Sequence, residues 1–290
     1  MQANRGEPRY PARSGSPGPP GRSGPPGRSG RSERDVNRRT LSQNFLRGPR
    51  AVGEYLMAVD VDPGDLVLEV GAGDGAITEA LAPRCRAVRA YEIDENLLPA
   101  LRERVGGLRN VQVVAGDFLT ARPPAEPFAV VGNVPFSITS AVVDWCLRAA
   151  ALSSATIITQ LEYARKRTGG YGRWSLVTVR TWPWFSWELR TRIARTQFRP
   201  MPRVDAAVLH LARRERPLVD PGLAAEYRRM VEAGFGGAGG SLYRSLARHY
   251  PRNAVDRAFQ QSGVGRDTVV GYVTPGQWLH IFGALTAGHR

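Results

Sequence analysis

The sequence predicts an α/β protein in which a mostly parallel, doubly wound sheet is followed by a small all-α domain. Three observations carry that prediction. Four short apolar runs, Leu66–Val70, Ala87–Glu92, Val111–Val114 and Phe128–Gly132, alternate with stretches of helical spacing. Strands that alternate with crossover helices lie parallel. The first run enters a glycine-rich turn, Gly71-Ala72-Gly73-Asp74-Gly75, before the helical spacing of Ala76–Leu81. Strand, glycine turn and helix in that order open a nucleotide-binding sheet. Beyond about residue 217 no strand pattern competes with helical periodicity. The chain therefore divides into a tail (1–36), a sheet domain (37–216) and a helical domain (217–290).

With 290 residues and 42% hydrophobic content, the chain can fill one large or two modest cores. Its net charge of +14 is carried almost wholly by arginine, since Lys166 is the only lysine. Arginine forks match phosphate, which points to a polyanionic partner. The charge is uneven: residues 41–160 hold 10 basic and 14 acidic side chains, whereas 161–216 hold 13 basic and 4 acidic. Different ligands are expected on the two parts. Two cysteines (Cys85, Cys146) and four scattered histidines make neither a disulfide framework nor a metal site. No membrane-length apolar run and no signal-peptide pattern is present, so a soluble, cytoplasmic protein is expected.

Residues 1–36 are rich in Arg, Gly, Pro and Ser, and Pro-Pro-Gly-Arg-Ser-Gly occurs twice between Pro19 and Gly30. Such a segment cannot offset its own ordering entropy and reads as disordered. It is either a basic arm with RNA affinity or an inert extension. Order is expected from about Arg38, with Leu41-Ser42-Gln43-Asn44-Phe45-Leu46 leading into an amphipathic segment, Val52–Val59. Gln43 and Asn44 suit helix caps or a ligand's polar groups equally.

Chemistry gathers where the predicted strands end. Glu92 lies 21 positions after Gly71, the spacing of a carboxylate that accepts from ribose hydroxyls. Asp117, in Gly116-Asp117-Phe118, stands where it can accept from an adenine amino group. The fourth strand delivers Asn133-Val134-Pro135-Phe136. The Asn133 side chain and the Val134 carbonyl can both accept from an exocyclic amine. Pro135 holds Val134 extended, and Phe136 offers a ring for a flat base. An amine held this way has its lone pair aimed at an activated methyl group. Gly71, Glu92, Asp117 and Asn133 thus end four successive strands, whose tips are expected to line one crevice.

Further on, Ile138–Ala149 and Leu161–Arg167 read as helices and Ala155–Thr159 as a strand. Leu176–Val179 is strand-like, and Trp182–Trp187 is read as core between two late strands. Phe198-Arg199-Pro200-Met201-Pro202-Arg203 reads as a rigid loop before a strand, Val204–Leu211. If Phe198 faces Phe136, an extruded base has a ring on each side. Helical stretches follow at Leu223–Phe235, Ser241–Tyr250 and Ala254–Gln261, with a last helix after Thr274-Pro275.

Taken together, the segments Leu41–Leu46, Glu69–Gly75, Tyr91–Asp94, Gly116–Phe118, Asn133–Phe136 and Phe198–Val204 resemble those of the ribosomal RNA adenine-N6 methyltransferases. Within that family the sequence resembles the Erm-type 23S ribosomal RNA enzymes of actinomycetes, which confer resistance to macrolide, lincosamide and streptogramin B antibiotics. The resemblance covers roughly residues 38–285. It implies a Rossmann-like class I methyltransferase domain and S-adenosyl-L-methionine as cofactor. Asn44, Leu46, Gly71, Ala72, Gly73, Glu92, Ile93, Asp117, Phe118 and Asn133 would contact that cofactor. Asn133, Val134, Pro135 and Phe136 would hold the target adenine, with Phe198 as a second stacking ring. The implied partner is 23S ribosomal RNA, free or in a pre-ribosomal particle, met by a monomer without metal or membrane. The housekeeping small-subunit dimethylases usually carry Asn-Leu-Pro-Tyr, so Phe136 and the phrase Phe136-Ser137-Ile138-Thr139 favour the resistance branch. A non-enzymatic nucleic-acid-binding relative and a dinucleotide oxidoreductase are the rival readings.

Overall fold

The computed structural model describes residues 43–237 and 240–287. The expected tail, 1–36, lies outside them, as do Leu41 and Ser42. The described residues form nine strands: β1 (Phe45–Leu46), β2 (Leu66–Val70), β3 (Ala87–Glu92), β4 (Val111–Ala115), β5 (Phe128–Asn133), β6 (Leu152–Gln160), β7 (Phe185–Ile193), β8 (Phe198–Arg199) and β9 (Ala206–Arg213). Helices α1 (Gly48–Leu56), α2 (Ala76–Leu81), α3 (Leu98–Val105), α4 (Thr139–Arg148), α5 (Leu161–Arg167) and α6 (Leu176–Thr181) fall between them. Helices α7 (Ala224–Phe235), α8 (Leu242–Leu246), α9 (Arg252–Ser262) and α10 (Pro275–Thr286) follow. No helix among the described residues is long and apolar enough to cross a membrane.

Seven strands form one sheet in the order β4-β3-β2-β5-β6-β9-β7. The first five are parallel, whereas β9 runs antiparallel to β6 and β7 to β9. From β2 the chain moves outward through β3 and β4, then returns to lay β5 on the other side of β2. Strand order reverses there, and a crevice opens outside the carboxyl ends at such a switch point. Both faces are covered, as a parallel sheet requires. Along β2, Val67 points into the layer that holds Tyr55, Leu81 and Leu101, while Leu66, Leu68 and Val70 point into the layer of Val142, Trp145 and Cys146. A third core, around Tyr227, Met230, Phe259 and Trp278, unites the C-terminal helices.

Beside the switch point a single hydroxyl bridges β5 and β6. Gly132 lies so close to β2 that a Cβ there would sit 2.4 Å from the Val70 carbonyl oxygen. Only glycine lets β5 approach so closely at this level. Tyr55 of α1, fully buried, accepts the Gly132 N–H at 3.0 Å and donates to the Thr156 carbonyl of β6 at 2.7 Å. Burial pushes its phenol well above the usual range, so it stays a donor.

Two departures from the sequence reading are informative. Leu176–Val179, read as strand-like from its β-branched residues, is the start of helix α6. Ser175 caps it by accepting the Thr178 N–H at 3.3 Å, and Val179 is fully buried in the C-terminal core. Capping and tertiary packing override local β propensity. Phe198-Arg199, read as loop, pairs antiparallel with Phe45-Leu46 as a separate two-stranded sheet. The Trp182–Trp187 segment is core at Phe185 and Trp187 on β7, with Trp182 and Trp184 half-buried. Helix α10 starts where Thr274-Pro275 implied: Thr274 and Gln277 cap each other reciprocally, with Pro275 in the first turn.

Replacing Tyr55 by Phe leaves the Gly132 N–H without a partner, and we expect a loss of about 1–3 kcal/mol, measured as a lower urea midpoint. An unchanged midpoint would contradict this account of the switch point.

Candidate active site

At the carboxyl ends of β2 to β5, residues from five segments line one cavity: Gln43–Phe45, Gly71 with Gly73, Glu92-Ile93, Asp117-Phe118 and Asn133–Phe136. The sequence-predicted strand tips therefore do converge. Each is placed by its own local geometry. Gly71 and Gly73 have φ of 69° and 61°, left-handed values that spare the turn a Cβ penalty. A Cβ on Gly73 would also stand 2.7 Å from the Phe45 ring. The Glu92 carboxylate accepts the Gly73 N–H at 2.7 Å and the Asp94 N–H at 2.8 Å, which ties the β3 tip to the glycine turn. Burial still holds its carboxyl above the ordinary range against these amides. Asp117 accepts the Leu119 N–H at 2.9 Å through one oxygen and has further acceptor capacity in the cavity wall. Phe118 is buried edge-on against Tyr91, ring centroids 5.4 Å apart.

Asn133 ends β5 opposite Ile158 of β6. Its side-chain amide donates to the Asn44 carbonyl. One N–H of the carboxamide is thus engaged, which orients the group, and its oxygen is the acceptor it offers a ligand. Pro135 follows with φ −51° and ψ 129°, and Phe136 opens a short 3-10 turn with its ring half-buried.

Three expected site residues do not line the cavity. Ala72 is buried in the core, and Leu46 packs against that same core. Phe198, expected as a second stacking ring, is fully buried, because the β1–β8 pairing turns it inward. A stacking ring needs an open face and Phe198 has none, so that expectation is corrected. Asn44 is not a helix cap either: the residue before α1 is Arg47, with no side-chain cap. Sequence reasoning missed Phe45, Tyr91, Leu119 and Ile138 as lining residues. Phe45 alone carried a signal, in a glycine turn that must accept a close neighbour.

The family model for ribosomal RNA adenine dimethylases matches residues 34–287. The chain belongs to that family. It is 56% identical over 251 residues to an rRNA adenine N-6-methyltransferase of Streptomyces fradiae, covering 86% of this chain and 78% of the relative. It is 33% identical to the mycinamicin-resistance protein MyrB of Micromonospora griseorubida, over 84% of this chain and 78% of that one. The crystal structure of the 23S rRNA methyltransferase ErmE superposes with a TM-score of 0.81 at 49% identity, over 84% of this chain and all of that one. This chain is accordingly an rRNA adenine N6-methyltransferase that uses S-adenosylmethionine.

The cavity fits that cofactor on its own evidence. Gln43 Oε1 lines it and is buried without a hydrogen-bond partner, an acceptor suited to a ligand's ammonium or hydroxyl. Glycines let a ligand approach the turn, and carboxylates stand at two adjacent strand tips. Among the described residues no group of His, Cys, Asp and Glu could hold a metal ion.

Beneath the turn lies Glu69, fully buried, accepting from the Thr78 hydroxyl at 2.6 Å while its other oxygen has no partner. Desolvation pushes its carboxyl up to about 8. The folded state therefore keeps a proton that the unfolded chain releases near pH 4.3. Stability is expected to fall as pH rises from that value through about 8, then level off. Denaturation midpoints from pH 5 to 9 should show this slope, and Glu69→Gln should flatten it.

Proposed function

We propose that this methyltransferase modifies N6 of one adenine in 23S ribosomal RNA and so gives resistance to macrolide, lincosamide and streptogramin B antibiotics. The observation that carries the reading is the Asn133 carboxamide, oriented by Asn44. With its nitrogen on the Asn44 carbonyl, Oδ1 is the atom presented to an incoming amine. The Val134 carbonyl, held by Pro135, is the second acceptor. Two acceptors fix both N6 hydrogens and take the lone pair out of conjugation with the ring. The base must leave its RNA stack to reach them, and Phe136 then offers a stacking face. Bound S-adenosylmethionine supplies a methyl group on a sulfonium that needs no protonation to leave. The protein's work is therefore positioning. Gly71, Gly73, Glu92, Ile93, Asp117, Phe118 and Gln43 would hold the cofactor, with Glu92 on its ribose and Asp117 on its adenine amine.

The family relationship supports an rRNA substrate, and the name of ErmE supports the large-subunit RNA. The name of MyrB and Phe136, where the small-subunit enzymes usually carry Tyr, support the resistance role. We take the enzyme to be a cytoplasmic monomer that meets its RNA free or in a pre-ribosomal particle, with the helical domain (217–290) adding RNA contacts.

Primer extension on RNA from cells expressing the chain should stop at one adenine of 23S RNA. A stop found only in the small-subunit RNA would overturn the assignment. Asn133→Ala should keep S-adenosylmethionine affinity within about twofold while turnover falls about a hundredfold; wild-type turnover in that variant would remove Asn133 from the role.

A further inference from the structure

A second recess lies away from the catalytic cavity, between the loop that joins α5 to α6 and the turn at Val270–Tyr272. Lys166, Tyr171, Arg173, Trp174, Ser175, Gly271 and Tyr272 line it. Tyr171 is 51% and Tyr272 46% exposed. Among the described residues these are the two Phe, Tyr or Trp side chains classed as exposed, and they flank the same recess from segments about a hundred positions apart.

Each ring is braced by an arginine. The Arg165 guanidinium lies over Tyr171, 5.8 Å from its centroid, and Arg173 over Tyr272 at 4.9 Å. Arg173 also donates to the Tyr272 hydroxyl through Nε at 2.9 Å and Nη2 at 2.7 Å. The backbone is fixed too: Trp174 N–H donates to the Gly271 carbonyl at 2.7 Å, and Gly169, with φ 74°, lies flat against the Trp174 indole. The loop is thereby tied to the C-terminal helices. No acidic residue lines the recess among the described residues, while Lys166 and Arg173 both do. Two open rings beside two cations form a surface suited to a base and its phosphate.

We propose that this recess is a second nucleotide site, which holds one base of single-stranded RNA and its phosphate apart from the adenine in the catalytic cavity. It rests on the RNA substrate of the reading above. The topology favours it, because α5 begins at Leu161, just past the stretch of β6 whose Ile158 lies opposite Asn133. At about 1.5 Å of rise per residue, this seven-residue helix is roughly 10 Å long, and it leads from that strand to the loop that lines the recess. One RNA strand can therefore run from cavity to recess along the Arg165-Lys166-Arg167 helix end. The rings stack the base, and Lys166 with the remaining Arg173 N–H groups takes the phosphate.

The test uses the full chain and an oligoadenylate decamer with one 2-aminopurine. It reads fluorescence quenching and binding across a salt series, without any methylation step. Tyr171→Ala should weaken binding about tenfold and abolish part of the quenching, while Tyr171→Trp retains both. Lys166→Ala should lower the salt slope by about one. S-adenosylmethionine affinity should stay at the wild-type value in every variant. Wild-type RNA affinity and quenching in Tyr171→Ala would overturn the site, as would a parallel loss of cofactor affinity, which would mark Tyr171 as structural. Because the probe is not methylated, a failed primer-extension stop on 23S RNA would sink the substrate assignment without deciding this one.

Discussion

The structure depends on how closely β5 approaches β2 at the switch point. Gly132 permits contact with the Val70 carbonyl that no side chain would allow, and Tyr55 then supplies the hydrogen bonds that this approach leaves open on β5 and β6. An unpaired backbone N–H at this depth would cost as much as a lost hydrogen bond. The next residue is Asn133. Its place in the cavity follows from a tyrosine on the first helix, at sequence distance 77 from Gly132, and from the absence of one Cβ.

The N-terminal segment closes the same site from the other side. β1 pairs with β8, Arg47 donates its backbone N–H to Gln197 at 2.7 Å and its Nε to the Phe198 carbonyl at 3.0 Å, and Gln197 reaches Glu54 of α1 at 3.0 Å. One residue before this strap, the Asn44 carbonyl takes the Asn133 amide. The strap therefore connects the loop after β7 to the orientation of the proposed catalytic carboxamide. Buried Phe198 anchors that strap.

The +14 charge overstates the cationic surface. Arg213 lies over Phe185 at 4.7 Å and donates to the carbonyls of Leu152 and Ala149, and Arg214 donates to the Trp182 carbonyl. Arg190 donates to the Ala58 carbonyl and pairs with Asp60. These guanidinium groups cap backbone carbonyls at the sheet's margins, where arginine's fork satisfies several acceptors at once. Lys166 and Arg173 are differently placed, on the wall of an open recess between Tyr171 and Tyr272.

The sequence by itself determined the alternation of strand and helix through β6, the glycine turn and the four strand tips. Each is written in local periodicity or in a residue type that the backbone demands, as at Gly71 or Pro135. It also marked Glu92, Asp117 and Asn133, because each is a polar acceptor at or just past the end of a predicted strand. Only the tertiary structure decided that Leu176–Val179 is helical, that Phe198 is core, that Asn44 orients Asn133, and that Tyr171 and Tyr272 share a recess. Those outcomes depend on partners from tens of residues to about 150 residues away. A short stretch of sequence encodes which way a side chain prefers to point, and long-range packing decides what it meets there.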